Sequence, residues 1–169
     1  MQTPNVRSAA ELVVTLVTGR TSARIRALFK LMRWAKGAGR GKVGTLCSRL
    51  LERYGLYVSK NAIIGKNVIL PHPAGIVIGD GVKVGNNVTI YQSVTLGGRV
   101  KGDWKKGNYP TISDGCTLFA GVVVAGRVRI GENCVIGSNS VVLSDIPDNA
   151  VAVGAPARVV KQLPVPPVE

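Results

Sequence analysis

From Ile64 to Val142 an aliphatic residue returns at nearly every sixth position, and a period of six leaves the chain very little choice of architecture. Ile78, Val84, Ile90 and Leu96 form one frame, and Ile112, Leu118, Val124, Ile130, Ile136 and Val142 form another. Four positions after most of these stands a second small or apolar residue: Val82, Val88, Val94, Cys116, Val122, Val128, Cys134 and Ser140. Directly after the aliphatic comes a small residue, as at Gly79, Gly85, Gly97, Gly131 and Gly137, where a turning chain needs either a positive φ or tight room. Each hexad reads as one short strand plus one corner, and three hexads make a triangular coil. Stacked coils give a mainly β parallel solenoid with a continuous aliphatic core. An amphipathic helix would repeat at three and four residues, which this stretch does not do.

Two irregularities interrupt the repeat. The frame Ile64, Leu70, Ile76 slips by two residues to reach Ile78, just after Pro71-His72-Pro73-Ala74-Gly75. The second is a jump of sixteen from Leu96 to Ile112, so ten residues within Gly97 to Thr111 leave the coil as a loop rich in Gly and Lys. Loops extruded from a rigid scaffold are where binding and chemistry concentrate.

The residues divide the chain into a basic α-helical cap over 1–55, the solenoid over 56–160 with its loop at 97–111, and a tail over 161–169. Ser8-Ala9-Ala10-Glu11 is a capping-box pattern ahead of an apolar run from Leu12 to Val17 that Gly19 can end. A second helix is expected from Ser22 to Ala35 with Ile25, Leu28, Phe29 and Met32 on one side, and a third from Val43 to Tyr54. Eleven Lys and Arg against Glu11 and Glu52 give this segment +9 of a formal +13. Three readings follow: a solvated cap over the open end of the solenoid, peripheral contact with an anionic membrane through Phe29, Met32 and Trp34, or non-specific attraction to nucleic acid. No nucleic-acid motif accompanies the charge. No run is apolar enough to span a bilayer and no signal peptide is visible, so a cytoplasmic location is expected. Cys116 and Cys134 should stack on adjacent coils at strand spacing, too wide for a disulfide, and are expected reduced. No residues have metal-ligand spacing.

His72 is the only histidine, and it lies between two prolines where the frame slips. A neutral imidazole is the usual general base for a hydroxyl. The run His72-Pro73-Ala74-Gly75-Ile76-Val77-Ile78-Gly79, then Gln92-Ser93-Val94-Thr95-Leu96-Gly97-Gly98, then Gly154-Ala155-Pro156-Ala157-Arg158-Val159-Val160, resembles the serine acetyltransferases in order and spacing. The resemblance covers Ile64 to Lys161. It implies a left-handed β-helix, against the general right-handed rule for parallel crossovers. It also implies acetyl-CoA as co-substrate with no metal, and direct transfer in which His72 deprotonates an acceptor hydroxyl that attacks the thioester. A cyclic homotrimer is implied too, with His72 of one chain facing the Gly97 to Thr111 loop of another.

Counting hexads puts His72, Gln92, Ala120 and Ser138 on one edge of the prism. The resemblance lays the pantetheine arm of coenzyme A against Ala120 and Ser138, where small side chains also suit ordinary corners, with Gly97 beside it. Arg158 and Lys161 are candidates for the nucleotide phosphates. The departures concern the acceptor. Pro71 and Tyr57 stand where the family has aspartates, and Asn108-Tyr109-Pro110 replaces its Arg-His-Pro, removing a bidentate carboxylate clamp. That loss favours a saccharide acceptor of polysaccharide assembly over serine, met by Gln92, Trp104, Asn108 and Tyr109, although Lys101, Lys105 and Lys106 offer another carboxylate anchor. A solenoid that has lost catalysis and an N-acetyltransferase remain as other readings.

Overall fold

The hexads do fold as strand-plus-corner units, and the coils they build can be followed in chain order. The computed structural model describes residues 14–164. The first coil holds β1 (Leu56–Val58), β2 (Ile63–Ile64) and a bridge at Ile69; the second holds β3 (Ile76–Ile78), β4 (Lys83–Val84) and β5 (Thr89–Ile90). The third holds β6 (Thr95–Gly97), β7 (Thr111–Ile112) and β8 (Thr117–Leu118), and the fourth β9 (Val123–Ala125), β10 (Arg129–Ile130) and β11 (Val135–Ile136). The fifth closes with β12 (Val141–Val142), a bridge at Ile146 and β13 (Ala150–Gly154). Strands stack in parallel into three faces: β1-β3-β6-β9-β12, β2-β4-β7-β10, and β5-β8-β11-β13. β14 (Ala157–Gln162) folds back antiparallel on β13, so strand structure continues two residues past the expected boundary at 160.

All ten aliphatics of the two frames are buried, as are the partners four positions on, in one continuous core. Cys116 and Cys134 lie in it as free thiols, each donating to a backbone carbonyl, of Gly131 and Pro147 respectively, at 2.9 Å.

The corners decide between the two needs. The small residue directly after the aliphatic is there for tight room: none of Gly79, Gly85, Gly131 and Gly137 has a positive φ, and a Cβ on Gly79 would stand 3.1 Å from the Leu96 carbonyl oxygen. The left-handed residue comes two positions later and is usually Asn, as at Asn67, Asn87, Asn133, Asn139 and Asn149 with φ from 54 to 58°. Asn tolerates this region because its amide finds local partners. Here those partners are stacked: Asn67 donates to Asn87 at 3.1 Å, and Asn133 to Asn149 at 3.2 Å. We expect Asn133→Val to cost about 1–2 kcal/mol of stability in denaturant titration, the penalty of a left-handed φ on a side chain with no such bond, and Asn133→Gly to cost less.

Helices close the open end. α1 (Thr21–Gly37) and α2 (Gly41–Glu52) pack on each other, α1 also on β2 and α2 on β1, and Ile25, Leu28, Phe29, Met32, Cys47 and Leu51 extend the core. Arg33 donates to the Gly65 carbonyl at 2.8 Å and Lys36 to that of Asn61 at 2.6 Å, so two of the cations fasten α1 to the first coil. Phe29 and Met32 face inward and Trp34 lies under the Arg40 guanidinium at 4.9 Å, which removes the apolar membrane anchor the sequence suggested. Residues 14–18 are helical; the capping box at Ser8 to Glu11 lies outside the described residues. Among the described residues no helix is long and apolar enough to cross a membrane.

Candidate active site

The two irregularities fall on different edges of the prism. Pairing places the first. Leu56 meets Ile76, Ile63 meets Lys83 and Ile69 meets Thr89, each twenty residues on, whereas Val77 meets Thr95 after eighteen. The two extra residues therefore sit between Leu70 and Ile76, in the corner leading from the third face to the first. That corner carries His72, exposed and held by Pro71, Pro73 and a 2.8 Å bond from the Ala74 N–H to the His72 carbonyl. The second irregularity leaves from the corner between the first and second faces, between β6 and β7. One chain does not bring His72 and the loop together.

The His72 edge continues through Gln92, Ala120 and Ser138, with one shift of register. Ser93 donates to the Ala74 carbonyl, Gly121 to that of Gln92 and Asn139 to that of Ala120, at 2.8–3.0 Å. Ala74, Gln92, Ala120 and Ser138 thus form the column, and the two-residue insertion displaces His72 out of it. Among the described residues the N–H groups of Ala120 and Ser138 make no hydrogen bond, so two outward amides on adjacent coils are available to a ligand beside small side chains. The Oε1 atom of Gln92 is enclosed without a donor.

Two aromatic rings missed in the sequence share this edge. Tyr91 and Phe119 stack at 5.0 Å and 19°, and His72 lies 6.2 Å from Tyr91 at 50°. Both follow a core aliphatic by one position, Ile90 and Leu118, which is the signal that could have found them.

The extruded loop is organised from within. It contains α3 (Asp103–Lys106), and the Asp103 carboxylate, 5% exposed as a residue, accepts from the N–H groups of Arg99 and Val100 at 2.7 and 2.9 Å and from the Asn108 amide at 3.0 Å. The Asn108 bond, followed by the two N–H groups, holds the Asp103 carboxyl below its ordinary range. Asn108 is therefore engaged inside the loop. Tyr109 lies over the Gly79 and Gly81 corner of the previous coil, with its Cε1 atom 3.5 Å from a Cβ built at Gly79; burial of its ring, then Asp80, Asp103 and Tyr57, push its hydroxyl up. What the loop offers outward is Trp104, 68% exposed, with Lys101, Lys105 and Lys106, the Lys105 ammonium 5.3 Å from the Trp104 ring.

Gly97 closes β6 with open space above it and accepts from the Gly126 N–H at 2.9 Å. Arg158 and Lys161 are exposed on β14, which follows the His72 edge in the chain, and Arg158 bonds the neighbouring Ala157 carbonyl. Tyr57, 52% exposed, stands on the first face near Tyr109. Among the described residues no cluster could hold a metal ion.

Comparison with known proteins bears on the repeat and the fold. Residues 109–144 match the model of a bacterial transferase hexapeptide of six repeats, and residues 57–92 that of a hexapeptide repeat of succinyl-transferase. The serine acetyltransferase of Bacillus subtilis is 44% identical over 108 residues, 64% of this chain and 49% of that protein. That of Buchnera aphidicola is 39% identical over 118 residues, 70% of this chain and 43% of that protein. The chain spans about half the length of these relatives. Among solved structures, Neisseria gonorrhoeae serine acetyltransferase superposes with a TM-score of 0.76 at 31% identity, covering 90% of this chain and 59% of that one. Soybean serine acetyltransferase complexed with serine gives 0.74 at 31%, covering 86% and 60%. The β-helix is left-handed, as the resemblance implied and against the general crossover rule.

Proposed function

We propose that this chain, which carries a hexapeptide-repeat transferase domain and resembles the serine acetyltransferases throughout its solenoid, transfers acetyl from acetyl-CoA to the hydroxyl of a small acceptor bearing a carboxylate, L-serine first among them. The observation that carries this reading is the His72 edge: one exposed imidazole, on the same edge as two outward amides flanked by small side chains.

In the proposed reaction His72 accepts the proton of the acceptor hydroxyl as its oxygen attacks the thioester carbonyl. A tetrahedral oxyanion forms, within reach of outward N–H donors. It collapses with expulsion of the coenzyme A thiolate, which takes the proton back from the His72 imidazolium. The pantetheine arm lies along Ala120 and Ser138, Gly97 leaves it room, and Arg158 and Lys161 face the nucleotide phosphates. Gln92, on the same edge, is the proposed acceptor contact, and its enclosed Oε1 atom has no donor within the chain. The site works in the cytoplasm, where acetyl-CoA is made available, and membrane contact through the basic cap rests on charge alone.

The acceptor is where the reading departs from the sequence. The missing arginine favoured a saccharide, yet Asn108 and Tyr109, which were to meet its hydroxyls, are engaged by Asp103 and by the Gly79–Gly81 corner. The loop is left with exposed ammonium groups, which anchor a carboxylate better than a neutral ring. A saccharide remains the second reading, favoured by the exposed Trp104 ring. We expect kcat/KM for L-serine to exceed that for neutral sugars, and Lys105→Glu with Lys106→Glu to lower it by up to about fivefold, as loss of one exposed ion pair near a bound carboxylate allows. Transfer to a neutral sugar that exceeds transfer to serine, and that survives the two substitutions, would reverse the order of the two acceptors.

A further inference from the structure

We infer that Tyr91 is the positioning residue for His72, fixing the imidazole by ring packing. The inference rests on the proposed role of His72 and adds the group that orients it.

His72 needs such a group. Its main chain is set by Pro71, Pro73 and the Ala74 N–H, but its side chain is exposed. Among the described residues the imidazole makes no hydrogen bond and no ion pair, so neither a carboxylate nor a carbonyl selects its rotamer. A general base that sweeps several rotamers spends little time within reach of the proton it must take. The ring contact His72 does make is with Tyr91, at a centroid distance of 6.2 Å and a tilt of 50°, within the range of tilted aromatic pairs.

Tyr91 is built to be rigid. Its N–H bonds the Leu118 carbonyl at 2.9 Å, directly after Ile90, whose own N–H bonds Ile69 at 2.9 Å, so the backbone is tied to the coils on both sides. Its ring stacks on Phe119 of the next coil at 5.0 Å. The three rings climb one edge, each on a successive coil, and the imidazole is the free end of that stack. Because the two extra residues displace His72 from the backbone column, it needs a support reaching outward from the neighbouring coil, which an aromatic side chain at position 91 supplies and a small one would not.

His72 is the single histidine, so its ring signals in the NMR spectrum of the full chain are unambiguous. The test compares wild type with Tyr91→Phe, Tyr91→Leu and Phe119→Leu, reading the His72 ring-proton shifts without ligand and the steady-state constants with acetyl-CoA and L-serine. Thermal unfolding of each variant is the control for folding. Expected are ring-current-shifted His72 protons in wild type and Tyr91→Phe, and a move toward free-imidazole shifts in Tyr91→Leu. With it kcat falls by about 10- to 100-fold, the scale of a misplaced catalytic group, while KM for acetyl-CoA stays within about twofold. Phe119→Leu should give a smaller change in the same direction. Unaltered His72 shifts in a folded Tyr91→Leu variant would overturn the inference, as would a Tyr91→Phe variant that keeps the shifts yet loses as much kcat as Tyr91→Leu, since the role would then belong to the hydroxyl. Should wild type transfer no acetyl at all, the proposed function fails, and the ring shifts alone still decide whether Tyr91 orients His72.

Discussion

His72→Ala is expected to lower kcat by about two to four orders of magnitude, the range for losing a positioned proton acceptor, and to leave folding and coenzyme A binding nearly intact. The asymmetry follows from where the residue stands. Its side chain is exposed in a two-residue bulge of the corner, so truncation opens no cavity in the aliphatic core. The proposed coenzyme column at Ala120 and Ser138 belongs to later coils whose backbone bonds do not involve His72. Steady-state kinetics, coenzyme A titration calorimetry and a melting curve on one preparation separate the three effects. A folded variant retaining near wild-type turnover would remove His72 from the reaction and assign the proton transfer to another group.

The core was legible because it is periodic. Every aliphatic of the two frames, from Ile78 to Val142, could be assigned inward by counting six, and the two places where counting failed mark the His72 corner and the extruded loop. Counting failed in detail at the insertion itself. His72 is third in its hexad by arithmetic, but the backbone bond from Ser93 goes to Ala74, because two additional residues must be absorbed somewhere and the chain bulges at the Pro-His-Pro stretch. The Asn of the left-handed corners, three positions after Ile64, Val84, Ile130, Ile136 and Ile146, was equally periodic and was there to be read.

What is aperiodic stayed hidden. Asn108 looks like a free polar group in a loop, and only the folded loop reveals the Asp103 carboxylate waiting for its amide. Phe29 and Met32 sit among basic residues, and a membrane anchor or a core contact are equally consistent with that neighbourhood. The decision belongs to which face of α1 docks on the first coil, and the core of Ile25, Leu28 and Leu51 takes both side chains. Tyr91 and Phe119 were in register throughout, yet a ring on an outer corner has no meaning until the position of His72 beside it is known.

Mixed assemblies of two inactive variants are expected to recover about a third of wild-type activity per assembly, and this is the sharpest consequence of finding His72 and the loop on different edges. The His72 corner joins the third face to the first, and the loop leaves where the first joins the second, so a site needing both requires a neighbouring chain. In a cyclic trimer each of three sites takes His72 from one chain and the loop from the next. Let one variant be His72→Ala and the other lack residues 99–108, and co-express them under two tags so that only mixed trimers are purified. Whether such a trimer holds two copies of the first or two of the second, one site in three pairs an intact histidine with an intact loop, which gives the figure of about a third. Each parent alone should fall to about 1% or less, by loss of the base or of the acceptor anchor. A site complete within one chain predicts that no mixture exceeds its parents. Activity of mixed trimers no higher than that of the separate variants, with both chains present by mass, would place the chemistry within single chains.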